Sequence, residues 1–311
     1  MSIFFVLLMY AAWSSVFSIG KMALQYSPPI FLTGFRMLLA GVILFVYLFI
    51  TRRAALKITL NQFFSLALLA FFSIYLTNIL EFWGLQYLSA AKACFLYSLS
   101  PFFAALFSYL HFKEKMNTRK WCGLLVGFIG FMPVLFMQTG AEELLNAVAF
   151  LSWPSLAVMG AALCSVYGWV LLRLVVKDSA VSPLMANGTS MLIGGLMALI
   201  NSPFLENWNP IPVAAENTAP FLKTTLALPV ISNLICYNLY GYFLKKYTAT
   251  FLSFVGLLCP IFASFSGALF LGEPLSWPIF ISTGIVSTGL FMVYQAELKQ
   301  GYVLKGKAKA G

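Results

Sequence analysis

A run of about 20 apolar residues is the length of helix that crosses a lipid bilayer. This chain of 311 residues contains ten such runs, at roughly 3–20, 30–50, 62–85, 90–111, 120–138, 150–173, 183–201, 222–244, 249–271 and 276–295. Only 9% of its residues are charged, against about a quarter in soluble domains, so it lacks the polar surface to face water on all sides. The fold class read from this pattern is an all-α integral membrane protein of ten transmembrane helices. The first run carries no basic segment before it and no small-residue cleavage site, which marks a retained helix rather than a signal peptide.

The charges orient those helices. With the N-terminus in the cytoplasm, the segments on that side hold Arg52, Arg53, Lys57, Lys113, Lys115, Arg119, Lys120, Arg173, Lys177, Lys245 and Lys246, and the tail adds Lys299, Lys305, Lys307 and Lys309. The opposite side carries Glu142, Glu143, Glu206, Glu216 and Glu273. Such a bias places both termini in the cytoplasm of a plasma (bacterial inner) membrane. The net charge of +10 lies at run ends and in the tail, not on one basic face, so no nucleic-acid partner is expected. The lipid bilayer is the partner, and the tail is drawn to anionic headgroups.

One sentence of the sequence occurs twice. "SLSPFFAALFSYLHFKE" at 98–114 and "LLCPIFASFSGALFLGE" at 257–273 align on Pro101 and Pro260, 159 positions apart, each with a glutamate thirteen residues on (Glu114, Glu273). "PIFLTGFRMLLAG" at 29–41 pairs with "PLMANGTSMLIGG" at 183–195 at an offset of 154. The chain therefore divides into residues 1–145 and 146–296, five runs each, followed by the basic tail 297–311. An odd number of spans per half inserts the second half upside down, the architecture of secondary transporters with a midplane site. Proline inside a span frees a backbone carbonyl and kinks the helix, which makes Pro101 and Pro260 either hinges beside a cavity or packing features kept from a duplication.

These segments resemble a known family. "YLSAAKACFLYSLSPFFAALFSYLHFKEKMN" and "YTATFLSFVGLLCPIFASFSGALFLGEPLS" are similar to the fourth-helix signature of EamA-type transporters of the drug/metabolite transporter superfamily, and "AAWSSVFSIGKMAL" with "SPPIFLTGFRMLLAG" to their first two helices. The first half has Lys113-Glu114 where that signature ends in Gly-Glu, and Trp13-Ser14 where the family often has Trp-Gly. The resemblance implies ten helices as two inverted five-helix repeats around a central cavity.

Charged side chains inside spans are costly and mark function by default. Arg36, Glu81 and Lys92 are the three in the outer halves of the spans. Glu81 and Lys92 either pair externally, or Glu81 meets a substrate ammonium or sulfonium while Arg36 forks onto a carboxylate; Arg36 could equally snorkel to the headgroups. Tyr75, Asn78 and Glu81 recur every three residues on one run, and Asn233, Tyr237 and Tyr240 at i, i+4 and i+7 on the corresponding run of the other half. Each set forms a polar face, serving a wet cavity or interhelical hydrogen bonds. Trp13, Tyr97, Tyr167, Trp169 and Asn187 complete the candidates. Gly123, Gly127, Gly130, Gly284 and Gly289 fit close helix packing, within the fold or in a homodimer.

No catalytic or metal cluster stands out. The single histidine, His111, is terminal to its run, Asp178 is the lone aspartate, the five cysteines form no ligand pattern, and no phosphate loop is present. The expectation is a transporter without cofactor or metal, monomer or homodimer, not an enzyme. Its solute is a small zwitterionic metabolite, an amino acid or a compound like S-adenosylmethionine; the other reading is export of hydrophobic cationic drugs.

Overall fold

The computed structural model describes residues 3–51, 58–88, 93, 96–139, 152–178, 181–208, 212–213, 217–259, 261–262, 265 and 277–302. Every element among them is helical. Seven helices are long and apolar enough to cross a membrane: α1 (Ile3–Ala23), α2 (Pro29–Thr51), the continuous segment Leu60–Tyr87, α7 (Trp153–Asp178, within which Trp153–Lys177 is the span), α8 (Pro183–Leu205), the continuous segment Thr218–Phe243, and α12 (Trp277–Lys299). Leu60–Tyr87 comprises α3 (Leu60–Leu69), a π segment (Ala70–Leu76) and α4 (Thr77–Tyr87). Thr218–Phe243 comprises α9 (Thr218–Leu228), a second π segment (Pro229–Cys236) and α10 (Tyr237–Phe243). Three further helices are α5 (Ser100–Phe112), α6 (Thr118–Thr139) and α11 (Ala249–Val255), the last tightening into a 3-10 turn at Gly256–Leu258.

Local signals set several of the ends. Thr59 and Gln62 close a reciprocal capping box on α3, and Ser182 and Thr248 each accept a backbone N–H at the start of α8 and α11, meeting orphan donors of the first turn. Pro101 departs from its expected place. It lies in the first turn of α5, after a turn at Ser98–Leu99, where a proline's missing N–H costs no intrahelical bond. The chain breaks before Pro101, so the proline starts a helix instead of kinking one. Pro260 lies outside the described residues, as do Lys92 and Glu273.

Glycine lets the long helices touch backbone to backbone. A Cβ on Gly34 would lie 2.7 Å from Leu199, one on Gly41 2.8 Å from Leu192, and one on Gly195 2.7 Å from the Leu38 nitrogen. Residue numbers rising on α2 as they fall on α8 show that the two helices run antiparallel. α6 and α12 cross in the same sense: a Cβ on Gly289 would come within 2.6 Å of the Gly123 carbonyl and 2.7 Å of the Gly127 nitrogen. Gly130 sits against Ile285, while Gly284 has nothing within 4 Å and belongs to no such contact.

The two π segments begin 159 residues apart, the offset already seen in the prolines. Wider π turns leave carbonyls misaligned with the α ladder, and side chains answer them. Asn78 Nδ2 donates to the Ser73 and Ile74 carbonyls (3.3 and 2.7 Å), and Thr77 Oγ1 to Phe72 (2.7 Å). Asn238 Nδ2 donates to Asn233 and Leu234 (3.2 and 2.9 Å).

Four charges near helix ends, Lys120 and Arg173 among those assigned to the cytoplasmic side, are buried in pairs. Lys120 in the first turn of α6 pairs with Glu297 in the last turn of α12 at 3.0 Å, and Thr248 lies 2.7 Å from both Glu297 oxygens. Glu114 pairs with Arg173 of α7 at 2.6 Å, the guanidinium lying 4.2 Å from the Phe112 ring centre.

Candidate functional site

Between the helices lies a cavity whose empty space, open mouth included, is about 920 Å³. Its wall draws on α1, α2, α4, α5, α7, the second π segment, α10 and α11.

Arg36 projects from α2 and is only 2% exposed, which rules out snorkelling. One terminal nitrogen donates to Asn78 Oδ1, and the guanidinium carbon lies 4.6 Å from the Phe82 ring centre. Its Nε and other terminal nitrogen have no partner among the described residues. Asn78 thus spends its amide nitrogen on the π carbonyls and its oxygen on Arg36, which ties the irregular turn to the cation. One turn along α4, Glu81 accepts a hydrogen bond from the Tyr97 hydroxyl at 2.7 Å. The two salt bridges among the described residues involve neither Arg36 nor Glu81. Among the described residues, a buried cation and a carboxylate therefore line one cavity without a direct ion pair between them.

Opposite them is an aromatic cluster. Trp13 of α1 lies 5.6–5.9 Å, centre to centre, from Tyr10, Trp169, Tyr237 and Tyr240. Trp169 of α7 lies 4.9 Å from Tyr237 and 4.2 Å from Tyr240. Ring pairs at these separations are stabilising beyond their buried area, so the wall is stiff.

Eight of the residues singled out in the sequence line this cavity: Trp13, Arg36, Asn78, Glu81, Tyr97, Trp169, Tyr237 and Tyr240. Four stand outside its lining. Tyr75 stacks on Phe71; the π segment widens the turn just before Asn78 and takes Tyr75 off the face shared by Asn78 and Glu81. Tyr167 packs among Phe72, Phe107 and His111. Asn187 donates to the Tyr237 carbonyl and Asn238 Oδ1, and Asn233 to the Met37 sulfur, so both join helices. Tyr10, Ser100, Ser165, Ser232 and Ser253 line the cavity without having been singled out. Single serines carry no periodic signal, and Tyr10 is one of 14 tyrosines.

Apolar helices enclosing a cavity that holds both charges and aromatic rings define a membrane-embedded solute carrier. The EamA-like transporter family matches residues 1–136 and 152–295. The chain belongs to that family and is a transporter. It is 41% identical over 305 residues, 98% of this chain and 92% of the relative, to a protein of Chlamydia trachomatis serovar L2 named "S-adenosylmethionine/S-adenosylhomocysteine transporter". A protein of the same name from Chlamydia muridarum is 39% identical over 99% of this chain and 96% of its own. Among solved structures, a crystal structure 15% identical in sequence superposes with a TM-score of 0.71 over 94% of this chain and 95% of the other.

Proposed function

We propose that this protein is a secondary transporter that moves a small zwitterionic metabolite of the S-adenosylmethionine type across the plasma membrane by alternating access. The observation that carries the reading is a cation and a carboxylate lining one cavity with no direct ion pair between them among the described residues. Arg36 keeps two guanidinium nitrogens with no partner among the described residues, donors that suit a carboxylate, and Glu81, steadied by Tyr97, offers a counter-charge to an ammonium or sulfonium. The names of the chlamydial relatives, at 39–41% identity over nearly the whole chain, point the same way.

In this reading Trp13, Arg36, Asn78, Glu81, Tyr97 and Tyr237 contact the solute, while Tyr75, Tyr167, Asn187 and Asn233 support the wall. The architecture is ten spans in two inverted halves, residues 1–145 and 146–296, with both termini cytoplasmic. Three observations support it: the 23-residue helices α2 and α8 start 154 positions apart and pack antiparallel; α6 and α12 do likewise at an offset of 159; and each half carries a π segment at that same offset.

Counterflow in proteoliposomes tests the function. Vesicles loaded with unlabelled S-adenosylmethionine should accumulate the labelled compound, and the Arg36→Gln and Glu81→Gln proteins should not. Accumulation of a lipophilic cation in place of the zwitterion would turn the reading to drug export. Undiminished transport by both variants would remove the proposed contacts.

A further inference from the structure

Cavity positions recur at the 159-residue offset, and the two members of each pair differ in chemistry. Asn78 matches Tyr237, Glu81 matches Tyr240, and Ser100 matches Cys259, all six lining the same space. In each pair the earlier residue is the more polar. Charge and hydrogen-bonding capacity thus gather with Arg36 and Glu81, while rings gather around Trp13 and Trp169.

The ring cluster is more than packing. Trp169, Tyr237 and Tyr240 are at most 6% exposed, whereas Trp13 is only half-buried. Trp13 is therefore a cavity-lining ring with surface left uncovered, with Tyr10 stacked against it at 5.9 Å. A flat heteroaromatic group could stack there, and a cationic centre would also be drawn to such faces. Tyr237 belongs to the cluster and sits beside Asn78 and Arg36, so the two ends of the cavity are continuous.

We infer that the cavity binds its ligand in one fixed polarity: an amino-acid head between Arg36 and Glu81, and a planar heteroaromatic end on Trp13. The inference rests on the transport reading and adds to it a second, chemically distinct subsite.

Calorimetry on the detergent-purified full-length protein separates the ends, using S-adenosylmethionine, methionine (head alone) and 5′-methylthioadenosine (heteroaromatic end without the head). Base–aromatic stacking lost on substitution is worth about tenfold or more in affinity. Trp13→Leu should weaken 5′-methylthioadenosine by about tenfold more than methionine, and Arg36→Gln should do the reverse. Trp169→Phe, which keeps a ring behind Trp13, should repeat the Trp13→Leu pattern more weakly, and it serves if Trp13→Leu does not fold. Equal losses for both fragments in every variant, or binding of S-adenosylmethionine with no competition by either fragment, would overturn the split site alone. A well-folded wild-type protein that binds none of the three would overturn the transport reading, and the split site with it.

Discussion

Replacing Glu297 by glutamine leaves Lys120 charged and buried without its partner. The two side chains are 1% and 0% exposed and 3.0 Å apart, and they join the first turn of α6 to the last turn of α12. Breaking a buried pair from one side costs about 3–5 kcal/mol, because the remaining charge keeps its desolvation penalty. Glutamine matches glutamate in volume and can still accept from Thr248, and the ammonium keeps the Tyr302 ring 4.7 Å away. The expected loss is therefore at the lower end, about 3 kcal/mol, which is more than a hundredfold in the unfolding equilibrium at about 1.4 kcal/mol per decade. Unfolding can be followed by circular dichroism as SDS is titrated into dodecyl maltoside micelles, or as a half-life at fixed temperature where it is irreversible. Replacing both partners (Lys120→Met with Glu297→Leu) should recover most of the loss, since no charge is then stranded. A Glu297→Gln protein that unfolds with the wild type, or a double variant less stable than either single one, would refute this account.

Gly289→Ala should destabilise by about 1–3 kcal/mol, because its Cβ would meet backbone atoms of Gly123 and Gly127 at 2.6–3.0 Å. Gly284→Ala, with open space around it, should be neutral or slightly stabilising in the same titration. Asn238→Ala strips the amide from the Asn233 and Leu234 carbonyls and should cost about 1–3 kcal/mol, measured as a shortened half-life. Arg36→Lys keeps the charge but loses the planar fork; counterflow should show transport reduced about tenfold or more, with protein yield unchanged.

Hydropathy alone located the long helices, because lipid demands length and little else. α2 and α8 follow from their apolar runs, with Pro29 and Pro183 each starting a helix. The irregular turns were not legible in that pattern: a π segment changes hydrogen bonding without changing hydrophobicity, so Tyr75 read as part of a polar face that it does not share. Lys120, Glu297, Glu114 and Arg173 were equally opaque. Each stands near a helix end, where sequence reasoning expects a solvated charge, and only tertiary contact reveals its partner. Arg36 and Glu81 were conspicuous because a charge within a span needs an explanation. Tyr240 was legible as part of a helical polar face and Trp169 as one of several aromatics, whereas Tyr10 was lost in a chain that is 17% aromatic.

A π turn holds one residue more than the α turn it replaces. Deleting a residue elsewhere in a membrane helix rotates everything beyond it by about 100°. Deleting one from Ala70–Leu76 would let α3 and α4 fuse into a regular helix with their outer faces still aligned. Ala70–Leu76 is thus a place where this membrane helix can lose a letter and still be threaded correctly, at the expense of the carbonyls that hold Asn78 beneath Arg36. Pro229–Cys236 carries the same extra letter. On the repeat proposed above, the same extra letter stands at the same register in both halves.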